Sequence, residues 1–246
     1  MEGIVENPNV VRPKYTVIML IYHRYKRLVK MARDCAATVR NNSSDFEFII
    51  VDNGSTLRHD WSEECDTYVR LDKNWGISHG WNTGIALARA ENIVIIGDDI
   101  KATSGWLEAM KSGIDMPDAG MCNPRVEHLP GGIGIQENYK WPSGACFMIN
   151  KNTLQKVGVF AEDDYFPANH EDWDYWTRIY QAGLKIYTNF SVTIHHAEGQ
   201  TIHAEDISAM SEQTRDVYLK KWGFDPTPVF CGDASIHDVL GEKICS

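Results

Sequence analysis

Short continuous apolar runs, separated by helix-like stretches and closed by polar clusters, constrain this chain more than any other feature. Residues 15–22 (YTVIMLIY), 46–51 (FEFIIV), 92–96 (NIVII) and 145–149 (ACFMI) read as strands covered on both faces. Residues 68–71, 120–122, 185–188 and 192–194 read as further, shorter strands. Between them, 23–40 brings Leu28, Met31, Ala32 and Cys35 onto one helical face. Residues 80–90, 106–114, 153–157, 172–182 and 205–222 are the other expected helices, with Gly183 and Gly223 as C-terminal stops. This alternation predicts an α/β, Rossmann-like three-layer sandwich with a mostly parallel central sheet. The expected boundaries are a lead-in over 1–14, one domain over 15–223, and a helical or irregular extension over 224–246 that wraps the surface. The glycine-rich 131–134 reads as a mobile loop.

In such sheets ligands bind beyond the carboxyl ends of the strands. Asp52-Asn53, Asp98-Asp99 and His195-His196 each follow an apolar strand directly, so they are expected on one rim. Adjacent carboxylates repel unless a cation or hydrogen bonds offset them, and hard oxygen ligands suit Mg²⁺ or Mn²⁺. A helix cap or a solvated turn is the plain alternative for Asp98-Asp99. Asp52 opens either an Asx turn or a site that accepts from the N–H of a bound base. Gly76, Gly80 and Gly84 allow close backbone approach, but no GxGxxG or Walker pattern accompanies them.

The segment 169–180 (NHEDWDYWTRIY) sets Glu171, Asp172 and Asp174 beside Trp173 and Trp176. Acids at a helix start complement the macrodipole. A carboxylate among aromatics also suits a general base next to a sugar ring. Arg178 is either a partner on the helix face or a phosphate contact. A histidine at 195 or 196 suits a metal already held by carboxylates.

The formal charge of −10 argues against broad nucleic-acid or anionic-membrane binding. Six scattered cysteines without a CxxC pair argue against zinc and against a disulfide framework, and they fit reduced thiols in a cytoplasm. No signal-peptide pattern and no apolar run long enough for a membrane span is expected.

Together the segments over roughly 15–223 resemble the family-2 nucleotide-sugar glycosyltransferases with a GT-A fold. Tyr22-His23-Arg24 is similar to the family's Tyr-Asn-Arg element, with His in place of Asn. Val51-Asp52-Asn53-Gly54-Ser55-Thr56 resembles its strand-end signature. Asn74-Trp75-Gly76 and Asn82-Thr83-Gly84-Ile85 match its paired Asn-x-Gly elements. Ile96-Gly97-Asp98-Asp99-Ile100 fits the DXD-type position. Ser143-Gly144-Ala145 through Gly158-Val159-Phe160 matches the acceptor-side strand and helix. His170-Glu171-Asp172-Trp173-Asp174 fits the Glu-Asp-x-Asp element, and Lys221-Trp222-Gly223 resembles a frequent domain end.

The resemblance implies a metal-dependent, inverting transfer from a nucleotide-diphosphate sugar, a UDP-sugar by default, to an acceptor hydroxyl. Asp172 would be the catalytic base. Asp99 would ligate Mn²⁺ or Mg²⁺, Asp98 would lie near the ribose or the metal, and His196 would be a further ligand, preferred to His195. Asp52 would contact the nucleobase, with Tyr22 and Arg24 near base and ribose. Asn53, Asn74, Gly76, Asn82, Glu171 and Arg178 complete the expected donor site. The absence of a Gln-x-x-Arg-Trp element implies a non-processive enzyme. A sugar-phosphate nucleotidyltransferase and a non-catalytic nucleotide-sugar-binding module are the alternatives. The acceptor stays open among glycan, lipid-linked sugar, protein and modified nucleic-acid base, with 131–134, 141–144 and the tail as places for its contacts.

Overall fold

The computed structural model describes residues 2–6, 13–138, 140–197 and 211–244. Its first half runs β1 (Glu2–Glu6), β2 (Tyr15–Ile21), α1 (Lys26–Asn41), β3 (Phe46–Asp52), β4 (Thr67–Arg70), α2 (Ile77–Leu87) and β5 (Asn92–Ile96). Then come β6 (Ile100–Lys101), α3 (Trp106–Ile114), β7 (Ala119–Val126), β8 (Ile135–Glu137), β9 (Cys146–Asn150) and α4 (Lys151–Val157). The chain closes with α5 (Glu171–Gln181), β10 (Lys185–His196), α6 (Ser211–Trp222), α7 (Pro226–Phe230) and α8 (Ile236–Ile244). The expected helical residues 205–210 lie outside the described residues.

The sheet order is β1-β4-β3-β2-β5-β9-β7-β10-β6, with β8 pairing β10. β4, β3, β2 and β5 are mutually parallel, β9 joins antiparallel to β5 and β7, and β10 runs parallel to β7. Alternate residues of β2 serve opposite layers. Val17, Met19 and Ile21 pack with Ala32, Cys35 and Val39 of α1 and with Trp106 and Met110 of α3. Ile18 joins Ile85 of α2, Ile179 of α5, Tyr218 of α6 and Phe230 of α7 on the other face. Layers on both faces explain why these strands read as unbroken apolar runs.

Gly80 and Gly84 let α2 lie directly on β2. A Cβ there would come within 2.3 Å of Leu20 Cδ1 and 2.4 Å of Ile18 Cγ2. Three features depart from the sequence reading. The lead-in supplies β1, an edge strand antiparallel to β4. The glycine-rich segment leads into β8, which pairs Ile135–Glu137 with Asn189–Tyr187. The C-terminal extension is core as well as cover, since Phe230 and Ile236 are fully buried. α7 is only five residues long, started by the Asp225 side chain accepting from Thr227 N and by Pro226. That is too short for periodicity to reveal.

Candidate active site

A cavity of about 570 Å³ opens beyond the carboxyl ends of β2 and β5. Tyr22 follows β2, Asn53 follows β3, Asp98 and Asp99 follow β5, and His196 ends β10; all of them line it. The start of α5 brings Glu171 and Asp172 to the same space, beside Trp173 and Trp176. Four strand ends and one helix start therefore gather side chains far apart in the chain.

Asp98 is buried, and its Oδ2 lies 2.8 Å from Nε2 of the buried His23. Burial pushes the Asp98 carboxyl up, and the His23 imidazole works against that rise. His23 stands where the resembling family has Asn, and the departure itself was the only signal of this pairing. Asp99 Oδ1 lies 3.2 Å from His196 Nε2. β10 pairs antiparallel with β6, His196 opposite Ile100 and His195 opposite Lys101. Strand alternation then sends the two histidines to opposite sides. His196 meets Asp99, whereas the exposed His195 bonds Glu127 Oε2 at 2.5 Å and does not line the cavity. His128, which no sequence signal marked, also lines it, its ring 5.9 Å from that of His196.

Among the described residues, no group of three or more His, Cys, Asp or Glu is arranged to hold a metal. Asp99 and His196 nevertheless offer an adjacent carboxylate and imidazole. A substrate-bridging cation commonly needs only one or two protein ligands besides phosphate oxygens. No Lys or Arg is among the described lining residues, and 198–210 contain none in sequence. A diphosphate in this cavity would meet carboxylates without a cationic side chain, so the donor set fits a divalent cation.

The helix α5, which brings Glu171 and Asp172 to the cavity, begins abruptly. Asn169 and His170 both have left-handed backbone, φ 79° and 70°, and His170 is held by a 2.9 Å contact from Nδ1 to Thr214 Oγ1 of α6. The half-buried Asp172 accepts from Trp173 N at 2.8 Å through Oδ1. Burial pushes its carboxyl up to about 6. The buried Glu171 is raised well above the usual range, by burial first and by Asp172 second. Gly144 lies against this carboxylate: a Cβ there would stand 2.6 Å from Asp172 Oδ2.

Several expected residues serve the scaffold. Asp52 is buried behind the cavity wall, accepting from Ser55 N at 2.7 Å and Tyr68 OH at 2.8 Å and pairing with Arg70. Asn53 and Asn74 do line the cavity, and Asn53 Nδ2 donates to Asn74 Oδ1 and to Gly76 O, fixing the loop before α2. Gly76 and Asn82 are not lining residues. Asn82 clasps Phe160 through both its amide atoms. Arg24 is exposed outside the lining. Arg178 is turned to Asp174 and to the carbonyls of Val157 and Val159, away from any phosphate position in the cavity. Asp174 shares the Glu-Asp-x-Asp element but is fully buried, bonded to Arg178, Lys221 and Trp222. Among the described residues, the acidic rim thus consists of Asp98, Asp99, Glu171 and Asp172, without Asp52 or Asp174.

No helix of the described residues is long and apolar enough to cross a membrane. Residues 16–174 match the model of Glycosyl transferase family 2. No curated protein matches the sequence. Among solved structures, the mannosyltransferase PcManGT from Pyrobaculum calidifontis, in complex with GDP-Man and Mn²⁺, is similar at 18% identity and a TM-score of 0.65, over 98% of this chain and 72% of that one. GalNAc-T7 with UDP, GalNAc and Mn²⁺ is similar at 12% identity and a TM-score of 0.61, over 74% of this chain; the match spans 43% of the GalNAc-T7 chain. S. aureus TarS 1–349 is similar at 13% identity and a TM-score of 0.60, over 87% and 73%. These likenesses carry the fold, GT-A, and the family match displaces the nucleotidyltransferase alternative. A family match over more than half the sequence, on this sheet and this acidic cavity, makes the chain a member of glycosyl transferase family 2.

Proposed function

We propose that the chain transfers a sugar, with inversion, from a nucleoside-diphosphate sugar to an acceptor hydroxyl, and that it needs a divalent cation to do so. The observation supporting this reading is that one cavity is lined both by Asp172, raised to about 6, and by the Asp99–His196 pair. Asp172 accepts the proton from the acceptor hydroxyl. That oxygen attacks the anomeric carbon on the face opposite the diphosphate, the bond to the leaving oxygen breaks, and a nucleoside diphosphate departs. A base of this kind contributes roughly 10²- to 10⁴-fold. Asp99 and His196 would hold Mn²⁺ or Mg²⁺, which when bound supplies positive charge for the leaving diphosphate. His23 fixes Asp98 behind Asp99. Tyr22 and Asn53, at the ends of β2 and β3, face the nucleobase end; Asp52 acts behind them by holding Tyr68 and Arg70.

A uridine donor is the first choice, and a guanosine donor is the second because the GDP-Man-bound relative covers nearly the whole chain. The test is a thermal-shift panel of nucleotide sugars with and without Mn²⁺, followed by product analysis. Binding stabilises the folded state by mass action. One donor should raise the melting temperature only with metal present, and transfer should release nucleoside diphosphate. Equal shifts after chelation, or pyrophosphate as product, would overturn the reading.

A further inference from the structure

Among the described residues two tryptophans are exposed, Trp75 at 40% and Trp141 at 41%. Trp75 is engaged locally: the Lys73 ammonium stands 3.8 Å over its ring, and its Nε1 donates to Asp72 Oδ1 at 2.8 Å. No ring or cation of the described residues meets Trp141 in this way. Its backbone is also an outlier, left-handed at φ 58°. A bulky residue rarely holds that conformation, and the proline after it narrows its choices further. Two contacts keep it there. Trp141 N donates to Phe230 O of α7 at 2.8 Å, and Pro142 is buried in the cavity wall. The fold thus maintains, at a cost in backbone energy, a large apolar ring that solvent still reaches, and such outliers gather at ligand sites.

The position of this ring points to the acceptor. Pro142, Ser143 and Gly144 line the cavity, and a Cβ on Gly144 would stand 2.6 Å from Asp172 Oδ2. Three residues span at most about 11 Å, so Trp141 lies within that reach of the glycine packed on the proposed base. Phe230, which holds Trp141, packs in turn on Trp173 and Trp176 of α5, with ring centroids 5.8 and 5.3 Å apart. Lys140 Nζ lies 3.5 Å from Asp233 Oδ1, an exposed polar pair across the same join of loop and C-terminal extension. We propose that the Trp141 ring stacks on a sugar ring of the acceptor, so that the acceptor is a glycan. This rests on the glycosyl-transfer reading above. The C–H face of a pyranose is apolar and slightly positive, matching the negative face of an indole, while its edge hydroxyls need polar neighbours. A nucleic-acid acceptor would bring phosphates to a chain of formal charge −10. A lipid tail would want a contiguous apolar patch, whereas Trp141 adjoins the Lys140–Asp233 pair.

The test offers the full chain a printed array of defined oligosaccharides, with Mn²⁺ and the nucleotide sugar that the thermal-shift panel selects. Steady-state kinetics then follow on the oligosaccharide best labelled. Trp141→Gly removes the ring and keeps the left-handed backbone, and Trp141→Tyr keeps an aromatic face. Trp141→Gly should raise the acceptor KM by roughly 10- to 100-fold with kcat within about 3-fold, and Trp141→Tyr should keep KM within about 3-fold. Affinity for the nucleoside diphosphate, by calorimetry with Mn²⁺, should stay within about 2-fold in both variants, which also reports a folded protein. A ring that only props the loop would instead disturb Gly144 and Asp172 and lower kcat. An unchanged acceptor KM in Trp141→Gly, or a loss confined to kcat, would overturn the platform. So would wild-type protein that binds its donor yet labels no oligosaccharide. A panel in which no nucleotide sugar binds would overturn the donor reading itself, a distinct result.

Discussion

Replacing Gly144 with Ala adds one methyl against the proposed base. Gly144 is not among the left-handed glycines, so alanine strains no backbone there. Its Cβ would lie 2.6 Å from Asp172 Oδ2, 3.4 Å from Cγ and 3.5 Å from Cβ. A relaxed contact needs about 3.5 Å, so the carboxylate oxygen must retreat by roughly 0.9 Å. Oδ1 is tied to Trp173 N at 2.8 Å, which stops the carboxyl from simply turning aside. A misplacement near 1 Å costs on the order of 10²-fold. Gly144→Ala should therefore lower kcat by roughly 30- to 100-fold, about 2–3 kcal/mol of barrier. Nucleotide affinity should stay within about 2-fold, because the methyl faces Asp172 and not Asp99. Steady-state kinetics with calorimetry of the free nucleotide separates the two effects. A kcat near wild type would refute the placement of Asp172 at the reacting atoms.

The raised Asp172 carboxyl gives a pH dependence with a definite sign: the base must be deprotonated, so kcat/KM should rise through about pH 6 and level off above it. The same shift is a stability cost. A carboxyl whose folded pKa exceeds its unfolded one contributes stability below the unfolded value, and that contribution is lost as pH rises through about 6. Asp172→Asn should consequently be more stable than wild type at pH 8, and the gap should close toward pH 4, read by denaturant unfolding at both pH values. His196→Ala should weaken Mn²⁺-dependent donor binding by at least about 10-fold while His195→Ala leaves it within about 2-fold, read by calorimetry. Asp174→Ala removes the partner of Arg178, Lys221 and Trp222, and should cost about 3–5 kcal/mol in denaturant unfolding.

The strands were legible because layers on both faces make β2, β3 and β5 unbroken apolar runs. The rim followed from topology, since parallel strands end on one side and Asp98-Asp99 terminates β5. What failed to read was side-chain direction. Asp52 and Asp174 carry the same carboxyl as Asp99 and Asp172, yet Asp52 turns to Arg70 of β4, and Asp174 to Arg178 one turn along α5 and to Lys221 of α6. The choice between His195 and His196 depended on the β6–β10 register, and β6 is only two residues long. Arg178 and Asn82 looked like ligand residues because polar side chains beside a motif cannot reveal that loop carbonyls already occupy them. His128 had no periodicity or spacing to mark it, and only the folded loop after β7 brings it to His196.

The most direct experiment on the reaction is the Asp172→Asn variant, assayed for nucleoside-diphosphate release in the presence of acceptor and Mn²⁺ and for nucleotide-sugar binding by calorimetry. The expected result is a kcat reduced by roughly 10²- to 10⁴-fold with donor affinity retained. Transfer near the wild-type rate would contradict the assignment of Asp172 as the base that activates the acceptor.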